Sequence, residues 1–365
     1  MIADSTALEE FVDRISELPV LALDTEADSL HCYFEKLCLI QISTPSEHML
    51  VDPLAGIPIQ PMLDALDDKR VIFHGADYDL RLFHRNHRFE PKEIFDTMIA
   101  ARLCGLEQLG LAALVEKFFG VTLCKASQKA NWAIRPLPEQ MVDYAINDTR
   151  YLLEIAGTLE ADLRTLGRWT WFVESIDRLI ASSRDVRDRD ESTVWRISGS
   201  AKLTARAQSV LRVLWFWRDA EARSWNRPPF HVIGNEDLLK VAERASSGQA
   251  LSIPRMTNRR RRSFEVALAL ALQIPEAEWP KMERTRGKRR TNEEVRRFDE
   301  LKVVRDQVAA DLHLDPSIIA PRGAMEAVAS DIQCGSLMDW QRELLGLPKL
   351  IEPAESSSID ADLVK

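Results

Sequence analysis

At 365 residues the chain is too long for one ordinary domain and predicts two or three. Its 45% hydrophobic and 29% charged residues exclude a disordered scaffold, and no apolar run approaches the roughly 20 residues of a membrane span. The net charge of −9 hides a segregation that is itself a functional clue: residues 201–300 hold 21 Lys and Arg against 13 Asp and Glu, a net of +8, which leaves −17 for the rest. Near the N-terminus, Asp4, Glu9 and Glu10 stand where a secretory signal would carry bases, so a cytoplasmic protein is expected. Five cysteines without a C-x-x-C pair signal neither a disulfide framework nor a zinc knuckle.

Along the chain, VLALD (20–24), LCLIQIS (37–43) and HMLVD (48–52) read as three strands. They are too close together for intervening helices and predict an antiparallel meander. VIFHG (71–75) is a fourth strand, followed by the helical pattern ADYDLRLFHR. Helices are predicted at 97–104, 109–119 and 137–166, the last entered through Pro136 and Pro138. A mixed sheet covered by helices follows. From about residue 169 the strand signals stop, and 169–200 reads as a helical, then polar, linker. Beyond it Arg218-Asp219, Ala222, Pro229, Leu238 and Val241-Ala242 recur 87 residues later as Arg305-Asp306, Ala309, Pro316, Met325 and Val328-Ala329, which points to a duplicated small helical domain. The acidic tail 349–365 has the composition of a disordered segment.

Asp24-Thr25-Glu26 ends the first strand, and alternation places both carboxylates on one face. A second D-x-E, Asp219 to Glu221, lies in a helical pattern and reads as a solvated face. The first copy has Asp79 just past another strand and Asp148 on a helix for company. Carboxylates gathered at a buried strand end are costly unless cations neutralise them. Carboxylate oxygens suit magnesium or manganese, and a pair of such ions is the layout of phosphodiester cleavage. Tyr144 shares a helix face with Asp148, four residues on, where a phenol can direct the attacking water.

Three segments together resemble a known family: Asp24-Thr25-Glu26, His74-Gly75-Ala76-Asp77-Tyr78-Asp79-Leu80 and Tyr144-Ala145-Ile146-Asn147-Asp148 look like the motifs of the tyrosine-containing DEDD exonucleases. The stretch 110–153, from GLAALVEKFFG to NDTRYLL, resembles the bacterial ribonuclease D group more narrowly, and the two helical repeats resemble HRDC domains. Two departures stand out. Cys124 replaces the acid usual before Lys125, and the second repeat lacks counterparts of Trp215 and Trp217. The resemblance implies a ribonuclease H-like α/β fold followed by two all-α HRDC domains, and 3′–5′ hydrolysis releasing nucleoside 5′-monophosphates. It implies two divalent ions, Mg2+ or Mn2+: Asp24 would bridge both, Glu26 and Asp148 would hold the ion that activates water, and Asp79 would hold the other through water. Tyr144 would orient the nucleophile.

The expected domains are an exonuclease at 1–168, the linker 169–200, HRDC units at 201–280 and 291–348, and the tail. Asp77 reads as a helix N-cap, and His84 with His87 as a solvated helix end. His74 is placed to touch a terminal phosphate or to be structural. Lys125, Trp132 and Arg135 are candidate clamps on the substrate backbone or terminal base. Arg259 and Arg260, in the run NRRRRSF, and the stretch KMERTRGKRR (281–290) are candidate phosphate contacts. The expected partner is RNA with a single-stranded 3′ end, tRNA precursors among the candidates, with no membrane and no obligate protein partner indicated. A DNA exonuclease and a catalytically silent RNA-binding adaptor are the rival readings. Removal of 201–365 is expected to leave a soluble, active exonuclease domain.

Overall fold

The computed structural model describes residues 1–124, 126–184, 190–251, 256–281 and 290–350. Helix α1 (Ser5–Ser16) starts on Asp4, whose carboxylate accepts the Ala7 N–H, and lays Leu8, Phe11 and Ile15 into the core. Strands β1 (Val20–Ala27), β2 (Leu37–Ser43) and β3 (His48–Val51) form the expected antiparallel meander. Helix α2 (Gln60–Leu66) leads to β4 (Arg70–Phe73), which runs parallel to β1. After α3 (Asp77–His87), β5 (Glu93–Asp96) pairs parallel to β4 and completes a mixed sheet of order β3-β2-β1-β4-β5. Every residue of β2 is buried, as a strand covered on both faces must be.

Helices α4 (Thr97–Leu103) and α5 (Leu111–Phe119) follow. The single helix expected over 137–166 is two, α6 (Glu139–Arg150) and α7 (Leu152–Thr165), divided at Tyr151. The segment expected as a linker begins as a core element instead: α8 (Trp169–Arg184) buries Phe172 and Ile176, and Phe172 lies 4.6 Å from the Phe95 ring. Arg184 pairs with Glu90 at its far end.

Two helical units complete the chain: α9 (Ala205–Trp225), α10 (Pro229–Val232), α11 (Asn235–Ser246) and α12 (Asn258–Gln273), then α13 (Asn292–Leu312), α14 (Pro316–Ile319), α15 (Arg322–Ser330) and α16 (Asp339–Leu344). The 87-residue offset extends to their construction. Thr204 and Thr291 cap α9 and α13, and left-handed Asn226 and His313 end them. Arg218 reaches the carbonyl of Ile233 as Arg305 reaches that of Ala320. The fourth helices fall out of register.

The units differ in what they bury. The first has its own core around Trp195, Leu211, Leu214 and Phe264. Trp215 and Trp217 belong to it, with the Trp217 indole donating to Ser263 at 2.8 Å, so their absence from the second repeat alters packing and not an exposed binding face. In the second unit α13 buries only Ala309 fully, while Ile319, Met325, Val328 and Trp340 join the core of the sheet domain. Trp340 stacks on Trp171 at 4.7 Å, and buried Arg168 donates to the carbonyls of Leu103 and Leu312, both at 2.7 Å. Gly105 is needed at this seam, because a Cβ there would stand 2.9 Å from the His313 carbonyl. A fragment ending before residue 201 would therefore expose part of its own core.

The first unit docks on the β1–β2 loop. Tyr33 donates its hydroxyl to Asp219 at 2.8 Å, Asn226 accepts the backbone N–H groups of Tyr33 and Phe34, and Arg227 donates to the His31 carbonyl. Arg223 covers both aromatic rings. Asp219 of the second D-x-E is thus an acceptor between domains, and Glu221 accepts from Ser263, so neither is merely solvated. Among the described residues no helix is long and apolar enough to cross a membrane. The tail from 351 and residues 282–289 of the basic stretch lie outside the described residues.

Candidate active site

Parallel pairing of β1 with β4 stops at Ala22 and Ile72, so β1 runs on with only β2 beside it, and Asp24 and Glu26 lie on one face. A register shift after Glu26 ends its regular pairing with β2 at the rim. Helix α6 brings Asp148 over this face, and ligand atoms of Asp24, Glu26 and Asp148 all lie within 4.8 Å of one another. Tyr144 stands one turn earlier on the same face, where its phenol favours the charged form of Asp148. Asp79, buried in the first turn of α3, stands outside that triplet and accepts the Thr25 hydroxyl at 2.5 Å.

Without cations these carboxyls cannot all ionise. Burial, then the charges of Asp79, Asp148 and Glu26, drives Asp24 far above the usual carboxylate range. Burial and the charges of Asp148 and Asp79 push Glu26 up to about 9. Asp148 and Asp79 rise to about 7, again chiefly through burial, against the opposing hydrogen bonds from Tyr144 and Thr25. Burial first, and then Asp148, Glu26 and Asp24, also raise the Tyr144 phenol, which stays protonated at neutral pH. A set of oxygen donors that holds protons only for want of positive charge fits divalent cations.

Asp24, Glu26 and Asp148 open into a cleft of about 670 Å³ lined also by His74, Tyr78, Gln108, Gln128 and Asn147. Sequence reasoning missed these last four. The only hints were that Tyr78 and Asn147 lie inside two of the motifs and Gln128 inside the stretch 110–153; nothing marked Gln108. Behind the cleft, Asp96 accepts the N–H groups of Gly75 and Ala76 and also caps α4, which fixes the turn leading to Asp79. Gly75 takes the left-handed φ of +81° that this turn requires. The His74 Nδ1 lies 2.9 Å from the Thr97 hydroxyl, which gives its own proton to the Phe73 carbonyl. Thr97 therefore accepts from Nδ1–H, leaving Nε2 an acceptor. Burial lowers the His74 pKa and keeps the ring neutral, which suits a hydroxyl donor better than the phosphate first considered.

Other candidates fall away from the cleft. Trp132 is 1% exposed and packs 6.0 Å from the Tyr144 ring, so it supports the phenol and cannot stack on a base. Arg135 spends its donors on Asp52, at 2.5 and 2.6 Å, and on the carbonyls of Cys38, Trp132 and Ile134, so it is a structural clamp. Asp77 is not the N-cap: Ala76 holds that position, and exposed Asp77 pairs with Arg81. His84 faces Glu90 at 2.9 Å. Lys125 lies outside the described residues. Arg259 and Arg260 occupy the first turn of α12, remote in sequence from the triplet, with Arg260 over the Trp225 ring at 4.4 Å.

A family model described as 3′-5′ exonuclease matches residues 1–164, and one described as HRDC domain matches residues 207–266. Ribonuclease D of Sphingobium indicum is 30% identical over 361 residues, covering 95% of this chain and 92% of that protein. Ribonuclease D of Bartonella henselae is 27% identical, covering 95% and 88%. A Bifidobacterium adolescentis protein of known structure superposes with a TM-score of 0.77 at 26% identity, over 93% of each chain. RNase D of Escherichia coli, described as an exoribonuclease involved in structured RNA processing, shares the fold at a TM-score of 0.69 and 24% identity, over 96% of this chain and 93% of that one.

Proposed function

The chain belongs to the ribonuclease D family, and from that premise we propose how its cleft trims RNA. It is a 3′–5′ exoribonuclease with an RNase H-like domain followed by an HRDC domain. The convergence of Asp24, Glu26 and Asp148 in an open cleft beside Tyr144 carries the mechanism. The fold implies divalent metal; we assign two ions, Mg2+ or Mn2+. Asp24, Glu26 and Asp148 would hold one, and Asp24 with Asp79 the other. When bound, such ions supply Lewis-acid charge at the scissile phosphate and acidify a water. The protonated Tyr144 phenol, beside Asp148, would orient the attacking water, and the product would leave as a nucleoside 5′-monophosphate.

His74 supplies selection for RNA. Its neutral Nε2 can accept a hydroxyl of the terminal ribose, and the 2′-hydroxyl is the donor DNA lacks. Arg259 sits exposed at a helix N-terminus, against the helix dipole, a placement that makes sense as a phosphate contact, whereas Arg260 is engaged by Glu221 and Trp225. The second helical unit, 291–348, reads as an HRDC-like copy recruited into the nuclease core, its divergence following from that packing. The nuclease unit extends through α8, and the first HRDC unit spans 201–280. The substrate is a single-stranded RNA 3′ end on a structured molecule such as a tRNA precursor, met in the cytoplasm.

Matched RNA and DNA oligonucleotides, incubated with Mg2+ or EDTA, test this reading. The expected result is metal-dependent release of 5′-monophosphates from the 3′ end of RNA, faster than from DNA. His74→Leu should cut the RNA:DNA ratio of kcat/KM by about tenfold, the value of one hydrogen bond left unmade. Faster cleavage of DNA would assign a DNA exonuclease, and tight RNA binding without cleavage across a metal series would assign an adaptor.

A further inference from the structure

Gln41 lies at the middle of β2, 0% exposed, and neither its amide oxygen nor its amide nitrogen has a hydrogen-bond partner. Its Cα stands directly opposite that of Asp24 in the β1–β2 ladder. Opposed residues of an antiparallel pair project to the same face, with Cβ atoms about 4.5–5.5 Å apart. The neighbours along that face show what covers it. Leu39 packs with Met141 and Ala145 of α6, and the Ser43 hydroxyl lies 2.7 Å from that of Thr149, the residue after Asp148. Ser43 and Thr149 are already engaged with each other, and Ser43 also with His48. On its other flank Gln41 meets Leu50 of β3.

Gln41 is thus an amide closed under α6, with an apolar residue on one side and the central carboxylate of the cluster on the other. Strand and cover would both accept a leucine there, as they accept Ile40 and Ile42 on the opposite face. An amide in such a place gains only if a partner comes to it. Asp24 is that partner, because it faces Gln41 across the ladder and a carboxylate bridging cations still has lone pairs to satisfy.

We propose that Gln41 is a positioning residue of the metal centre, donating an amide N–H to the Asp24 carboxylate and fixing its orientation toward the cations. This rests on the metal-centre reading above. A test that needs neither RNA nor turnover is Mn2+ binding to the full chain, followed by titration calorimetry and by the electron-spin signal of free Mn2+. Gln41→Met keeps the shape and removes the donors. It should weaken Mn2+ binding by about 10- to 100-fold, the usual loss with an outer partner of a ligand. Its melting midpoint in EDTA should match or exceed that of the wild type, since a partnerless buried amide is gone. If methionine prevents folding, Gln41→Asn withdraws the amide by one methylene and faces the same measurement.

Wild-type Mn2+ affinity in the variant, with binding lost in Asp24→Asn, would overturn the role of Gln41 and leave the metal centre standing. Absence of Mn2+ binding by the wild type would sink the metal centre and Gln41 with it.

Discussion

Replacing Asp24 by Asn should make the cation-free protein more stable as it destroys activity. Unfolded, the Asp24 and Glu26 carboxyls titrate at about 4; folded, Asp24 lies far higher and Glu26 at about 9. A raised folded pKa means stability that is present below about pH 4 and lost as pH rises toward the folded value. Between about pH 5 and 8 folding therefore takes up protons at these sites, with Asp79 and Asp148 adding theirs below about pH 7, and stability falls as pH rises. The amide introduced by Asp24→Asn would bind no proton, so its stability should fall less steeply by one proton's worth, and the variant should gain about 3 kcal/mol on the wild type from pH 6 to 8. At about 2–4 °C per kcal/mol that is a separation of roughly 6–12 °C in the midpoint of the nuclease core. Thermal scans at pH 6, 7 and 8 in EDTA measure it. Excess Mg2+ should close the gap by stabilising the wild type alone, and exonuclease activity of the variant should be down by several orders of magnitude. Parallel pH lines for the two proteins, or a variant less stable than the wild type at pH 8 in EDTA, would refute the argument.

Tyr144→Phe deletes a hydroxyl and nothing else, so kcat should fall by about 10²-fold with KM for RNA nearly unchanged; equal loss of both, together with a lower melting midpoint, would make the tyrosine a packing residue. Truncation after Ser200 should give an aggregating or strongly destabilised protein by size-exclusion and thermal scan, at about 1.5–3 kcal/mol for each large apolar side chain uncovered at the seam with Trp340, Ile319 and Met325. A monodisperse fragment with an unchanged midpoint would show that the shared core is dispensable.

The acidic site was legible because its signals are local. Period-two alternation aligned Asp24 with Glu26, and a four-residue helical spacing joined Tyr144 to Asp148. The meander was equally legible from three apolar runs too close for helices. Strand β5 was not: EIFD is four residues long and gains its place only from β4 beside it. The division of α6 from α7 rests on the backbone of Tyr151, which leaves the apolar pattern unbroken. Arg135 and Trp132 misled for a different reason. Whether a guanidinium or an indole faces substrate depends on partners such as Asp52, 83 residues away, that no window along the chain includes. The 87-residue recurrence marked residues that build equivalent turns in the two helical units, yet it could not reveal that the second unit shares its core with the nuclease.

The first helical unit sits between two anchors, since α8 before it and α13 after it both pack into the nuclease core, and the β1–β2 loop holds it a third time. Such a unit is bound like a page between two covers and cannot stray. RNA bound by that unit would meet the cleft at an effective concentration in the millimolar range. Each return of the shortened 3′ end to the carboxylates would then be a unimolecular step, and the interval between successive cuts would not depend on how much enzyme is in solution.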